Sequence, residues 1–95
     1  MTKAELINSI AIQTGYDQVT ISQVVESFMT TVKRNIVKGE TVYLRGFGTF
    51  GTKTRAKKIA RNISKQTSIV VPEHRVPSFK ASAFFANAVR ENKAE

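Results

Sequence analysis

Ninety-five residues allow one domain, and a hydrophobic content of 41% is adequate for a folded core. With no cysteine there is no disulfide framework and no thiolate metal site, no apolar run approaches the roughly 18 residues that would span a bilayer, and the first residues lack a signal-peptide pattern, so a soluble protein is expected. A net charge of +8 with a pI near 10.2 suits nucleic acid, anionic lipid or an acidic protein, and composition alone does not separate them.

Thr2 followed by Glu5 reads as a capping box that opens a first helix. Leu6, Ile7, Ile10 and Ala11 fall on one face of it, and Gly15 suits the left-handed position that ends it. A second and longer helix begins near Asp17 or Thr20; Thr20 with Gln23 makes a capping box, and Val19 with Val24 a staple. Its apolar face is Ile21, Val24, Val25, Phe28, Met29, Val32 and Ile36, and Gly39 stops it. This stripe reads as packing rather than as a cofactor pocket, and its excess as a subunit interface.

Thr41 to Leu44 form a short predicted strand, and Arg45-Gly46 a tight turn into the string Gly46-Phe47-Gly48-Thr49-Phe50. A Gly-Phe-Gly string also occurs where aromatics stack on RNA bases, but here it stands alone. Phe47 and Phe50 are therefore read as core anchors, with Gly46 and Gly48 permitting close backbone approach or positive φ.

That string divides the chain. Between Gly51 and Lys80 lie Lys53, Arg55, Lys57, Lys58, Arg61, Lys65, Arg75 and Lys80 against Glu73 alone, so this segment carries +7 of the net +8. Charge so confined points to a dense polyanion. From Thr52 the period becomes two, with Lys53, Arg55, Lys57 and Arg61 on one strand face, Ile59 the gap and Lys58 opposite. A strand polar on both faces has nothing to bury against and is expected to project. About eleven residues at 3.3 Å each reach roughly 35 Å, one turn of duplex DNA. The return strand runs from Thr67 to Val71 and onward toward Val76, with the tip near Asn62 to Gln66. Ile63 at the tip is apolar among polar neighbours; it reads either as a contact across the hairpin or as a wedge between base pairs. Removing the ribbon leaves about seventy residues to pack, a size at which a lone domain is marginal, so a partner subunit is expected.

Pro72 and Pro77 punctuate the return strand, Phe79 re-enters the core, and Ser82 caps a closing helix with Phe84, Phe85, Ala88 and Val89 on its apolar face. Catalytic residues are few. His74, the one histidine, stands between Glu73 and Arg75 without a Ser or Cys motif and reads as a solvated surface residue; the acids are scattered and metal-ligand spacing is missing. A non-enzyme without metal, cofactor or small-molecule substrate is expected.

Two helices, then Gly46-Phe47-Gly48-Thr49-Phe50, a basic arm with Arg55 and Arg61-Asn62, and finally Val76-Pro77-Ser78-Phe79-Lys80 resemble the bacterial HU and integration host factor family of DNA-bending proteins, over essentially the whole chain. The resemblance implies an α+β fold: a helical base with a three-stranded antiparallel sheet extended into a β-ribbon arm, as an intertwined dimer. The expected parts are a dimerisation base over 1–45, sheet and arm over 46–80 and a C-terminal helix over 81–95. Phe28, Met29, Val32, Ile36, Phe47, Phe50 and Phe79 are the expected dimer interface. The expected DNA contacts are Gly46, Gly48, Lys53, Arg55, Lys57, Lys58, Arg61, Asn62, Ile63, Ser64, Lys65, Arg75, Pro77 and Lys80, with Ile63 intercalating where the family usually has proline. Family members also usually carry glycine where this chain has Ala60 and Gln66.

The function so implied is largely sequence-independent bending and compaction of double-stranded DNA through the minor groove by a cytoplasmic, nucleoid-associated homodimer. A sequence-specific bender paired with a paralogue, a structural RNA-binding protein and a protein or lipid interaction module stay open as alternatives.

Overall fold

The structure, a computed structural model, describes residues 1–62 and 67–92, with side chains described over 1–59 and 70–92. It divides into two compact units, Met1–Asn35 and Ile36–Glu95.

In the first unit, helix α1 (Lys3–Thr14) is capped by Thr2, whose Oγ1 accepts from the Glu5 N–H at 3.2 Å and donates to the Glu5 carboxylate at 3.2 Å. The box expected from Thr2 and Glu5 thus closes through the hydroxyl. Gly15 ends α1, its N–H donating to the Ala11 carbonyl at 2.9 Å. Helix α2 (Gln18–Val37) starts after Asp17, which settles the choice between the two candidate caps. The Asp17 carboxylate accepts from the Thr20 N–H at 3.2 Å and the Thr20 hydroxyl at 2.6 Å. These bonds favour the ionised form and hold the Asp17 carboxyl below its ordinary value, the hydroxyl bond contributing most. Gln18 donates to Asn8 at 2.6 Å and Lys3 pairs with Glu26, tying the two helices together beside the buried Ala11 and Ile21. The expected apolar stripe of α2 is only partly covered: Val25 and Val32 are half-buried, whereas Val24, Phe28 and Met29 are exposed, Phe28 to 45%.

In the second unit, β1 (Val42–Leu44), β2 (Gly48–Arg55) and β5 (His74–Ala81) form an antiparallel sheet in the order β1-β2-β5, and β3 (Lys58–Asn62) pairs antiparallel with β4 (Thr67–Val71). The turn between β1 and β2 is closed by the Phe47 N–H donating to the Leu44 carbonyl at 2.9 Å. Gly46 sits in it at φ +80°, while Arg45 is not among the residues of positive φ; that combination is a type II turn, whose third position suits glycine. Helix α3 (Ala83–Arg90) follows β5 directly. Ser82 caps it by accepting from the Phe85 N–H at 3.1 Å, and the Ser82 N–H donates to the Phe47 carbonyl at 2.9 Å.

These connections assemble four phenylalanines. Phe47 lies 5.3 Å from both Phe79 and Phe85, stacked on the latter, and Phe50 lies 4.8 Å from Phe79. Gly48 is what lets β2 and β5 close around them. A Cβ there would stand 2.5 Å from the Phe79 ring and 2.6 Å from the Lys80 carbonyl oxygen. The cluster is nonetheless open on one side, with Phe47 exposed to 45% and Phe79 to 41%.

Candidate nucleic-acid interface

The strand β2 changes character midway. Gly48 to Gly51 are buried or half-buried, and from Thr52 to Arg55 every residue is exposed. The second half has no apolar residue with which to pack, so it follows β5 away from the phenylalanines as a two-stranded ribbon.

That ribbon keeps one register through its length. Arg55 faces His74; then Ala56 and Lys57 on one strand oppose Glu73 and Pro72 on the other, and pairing resumes with Lys58 opposite Val71 and Ile59 opposite Val70. Equal numbers on both strands mean that no bulge flips the alternation.

The lapse in pairing has a cause in proline chemistry. Pro77 pairs with Thr52 inside an unbroken ladder, so it occupies a non-hydrogen-bonded position on the outer strand of the sheet, where its missing N–H costs nothing. Pro72, five residues earlier, has the opposite parity. An N–H there would bond across to Lys57, and proline has none to give.

Because the alternation is preserved, Lys53, Arg55, Lys57 and Ile59 share one side with Lys80, Val76, His74, Pro72 and Val70 from the return strands. Lys53, Arg55, Lys57 and Lys80 are all exposed, and none is engaged by a carboxylate among the described residues. No acid stands on that side, since Glu73 alternates to the other. The opposite side carries Lys58, Arg75 and Pro77 and leads back to Phe50 and Phe79. Arg75 there reaches back over the turn after α2, its guanidinium 3.2 Å from where a Gly39 Cβ would stand.

The expected contact residues are thus not equivalent. Four cations are brought onto one side of the ribbon, Lys58, Arg75 and Pro77 lie on the other, Gly46 occupies the exposed turn, and Gly48 is buried beneath Phe79. Arg61 and Asn62 continue the ladder opposite Ser68 and Thr67. Ile63, Ser64 and Lys65, including the candidate wedge, lie outside the described residues. His74, expected from the sequence as a solvated surface residue, stands on the cationic side by the parity of the return strand counted back from Pro77.

Among the described residues no cluster of His, Asp and Glu is arranged to hold a metal ion, and no helix is long and apolar enough to cross a membrane.

Comparison with known proteins gives a consistent result. A family model described as bacterial DNA-binding protein matches residues 1–90. The chain is 33% identical over 90 residues to the DNA-binding protein HU of Staphylococcus aureus, covering 95% of this chain and 100% of that one, and 31% identical over 91 residues to the DNA-binding protein HU of Buchnera aphidicola, covering 96% and 99%. Among solved structures it resembles Anabaena HU in a cocrystal with DNA, with a TM-score of 0.88 at 28% identity over 94% of this chain and 97% of that one. HU from Thermotoga maritima shares the fold with a TM-score of 0.67 at 22% identity over 94% and 98%.

Proposed function

Since the chain belongs to the HU family of bacterial DNA-binding proteins, we propose that it is a histone-like architectural protein that binds double-stranded DNA as a homodimer and bends it, without catalysing a reaction. The observation that carries this reading is the row formed by Lys53, Arg55, Lys57 and Lys80: exposed cations that no carboxylate among the described residues engages, on one side of a ribbon with no core of its own. Residues 1–45 serve as the dimerisation base, 46–80 as sheet and arm, and 81–95 as the segment that carries the closing helix α3 (Ala83–Arg90). The exposed Phe28 and Met29 in one unit, and Phe47 and Phe79 in the other, are apolar surface that a second copy covers, together with the half-buried Val32 and Phe50, whereas Ile36, also expected at the interface, is already buried within the protomer. Such a protein works on the nucleoid, in the cytoplasm.

Three physical terms make up the mechanism. Arm cations, with Arg61, Lys58, Arg75 and Lys65, neutralise phosphates and release counterions, so affinity falls with salt by about 0.9 log unit per decade for each phosphate neutralised. Lying in the minor groove, where the base code is degenerate, the arms discriminate weakly between sequences. Insertion of Ile63 between base pairs costs a few kcal/mol of unstacking per kink, offset by the larger surface that bent DNA presents. Gly46, Asn62, Ser64 and Pro77 bring backbone and small polar groups close to the phosphates, and Gly48 sets the strand spacing beneath them.

A salt-titrated binding and bending assay on intact, nicked and random duplexes tests the reading, with end-labelled DNA reporting the bend by fluorescence transfer. Bending of all three with preference for the nicked site is expected; straight DNA at saturating protein refutes it, preference for one sequence over random competitor makes the protein a specific bender, and equal affinity for duplex RNA favours an RNA-binding role. Ile63→Ala is expected to reduce bending more than affinity, and unchanged fluorescence transfer removes the wedge.

A further inference from the structure

His74 is an exposed residue held in a defined way. Its Nδ1 lies 2.9 Å from the carbonyl oxygen of Pro72, at the point where the ladder lapses. A carbonyl oxygen only accepts, so Nδ1 must carry the proton and donate. In the neutral ring, Nε2 is then left with a lone pair and no proton.

The ring stands on the cationic side of the ribbon. Arg55 faces it directly across the ladder, Lys53 and Lys57 flank Arg55 on that side, and Lys80 follows along β5; Glu73 and Arg75, its neighbours in sequence, alternate to the opposite side. A polyanion gripped by this row therefore presents phosphate oxygens next to His74. Those oxygens are acceptors, and the neutral ring offers them only another acceptor. Imidazolium alone can donate from Nε2 to a phosphate while Nδ1 keeps its bond to Pro72.

Building on the DNA-binding reading above, we propose that His74 is a further phosphate-contacting residue that engages the DNA backbone only as imidazolium, so that binding takes up protons. The Pro72 carbonyl selects the tautomer, and the tautomer makes the contact conditional on charge. Arg55 and Lys57 stand on the same side of the ribbon, so a phosphate that they hold also meets the ring. Each arm carries one such residue, so a dimer with both arms engaged takes up as many as about two protons. Affinity then rises on acidification by up to about tenfold per pH unit for each proton taken up.

The test is calorimetric titration of a short duplex into the full-length protein, in two buffers of different ionisation enthalpy at one ionic strength. Fluorescence anisotropy across about pH 6 to 8, where histidines commonly change charge, accompanies it. Wild type is compared with His74→Gln, which can still donate to Pro72 but cannot ionise, and His74→Lys, which is always charged. The expected result is proton uptake in wild type that vanishes in both variants, with His74→Lys keeping tight binding at the alkaline end. Equal proton uptake in wild type and His74→Gln, with circular dichroism showing both folded, overturns the role of His74 while leaving DNA binding standing. Failure of wild type to bind duplex at any pH overturns the DNA-binding reading itself, and this inference with it.

Discussion

Replacing Gly48 by Ala probes how β2 and β5 close over the phenylalanines. The added Cβ would meet Phe79 Cζ at 2.5 Å and the Lys80 carbonyl oxygen at 2.6 Å, where ordinary contact begins at 3.4 Å, so nearly an ångström of space must be found. Neither neighbour yields easily. Phe79 is held against Phe47 at 5.3 Å and Phe50 at 4.8 Å, and the Lys80 oxygen belongs to the backbone of the paired strand. Overpacking of this kind costs about 1–3 kcal/mol, and the smaller chain entropy of unfolded Ala returns about 0.4–1 kcal/mol of it. A net loss of about 1–2 kcal/mol lowers Tm by roughly 4–16 °C in a domain of this size. Thermal unfolding followed by circular dichroism at one protomer concentration measures it, since a dimer's Tm depends on concentration. Gly51→Ala is the control: its Cβ would meet only Thr41, at 3.7 Å and 3.8 Å, and its Tm should stay close to wild type. If Gly48→Ala melts at or above the temperature of Gly51→Ala, the close approach does not limit the sheet.

Arg55→Ala should flatten the salt dependence of DNA binding by about 0.9 log unit per decade for each arm engaged, and an unchanged slope takes Arg55 out of the phosphate contacts. Ser82→Ala removes the cap that accepts from Phe85 and should cost about 1 kcal/mol in urea unfolding, with m unchanged. Asp17 supplies a pH dependence of defined sign. Its folded pKa lies below the ordinary 3.8, so its contribution is present above that value and lost as pH falls through the folded pKa. Asp17→Asn, which still accepts from Thr20 but does not ionise, should therefore lose less stability than wild type on acidification below about pH 4, as read by Tm at matched ionic strength.

The local elements were legible in the chain because their causes are local. Thr2, Asp17 and Ser82 mark helix starts with side chains that accept from nearby N–H groups, and Gly15 marks an end. The two-residue period from Lys53 to Lys57 set those cations on one side of a strand before any partner strand was known, and +7 crowded into Gly51 to Lys80 pointed to a polyanion. What the chain could not disclose was register, because pairing joins residues far apart in sequence and the same alternation fits several pairings. Only the tertiary structure put His74 opposite Arg55, separated Arg75 from the cationic row, and showed that Pro72 meets the ladder where an N–H is needed while Pro77 does not. It also decided that Gly48 serves strand closure beneath Phe79, a contact between residues thirty-odd positions apart that no short motif encodes.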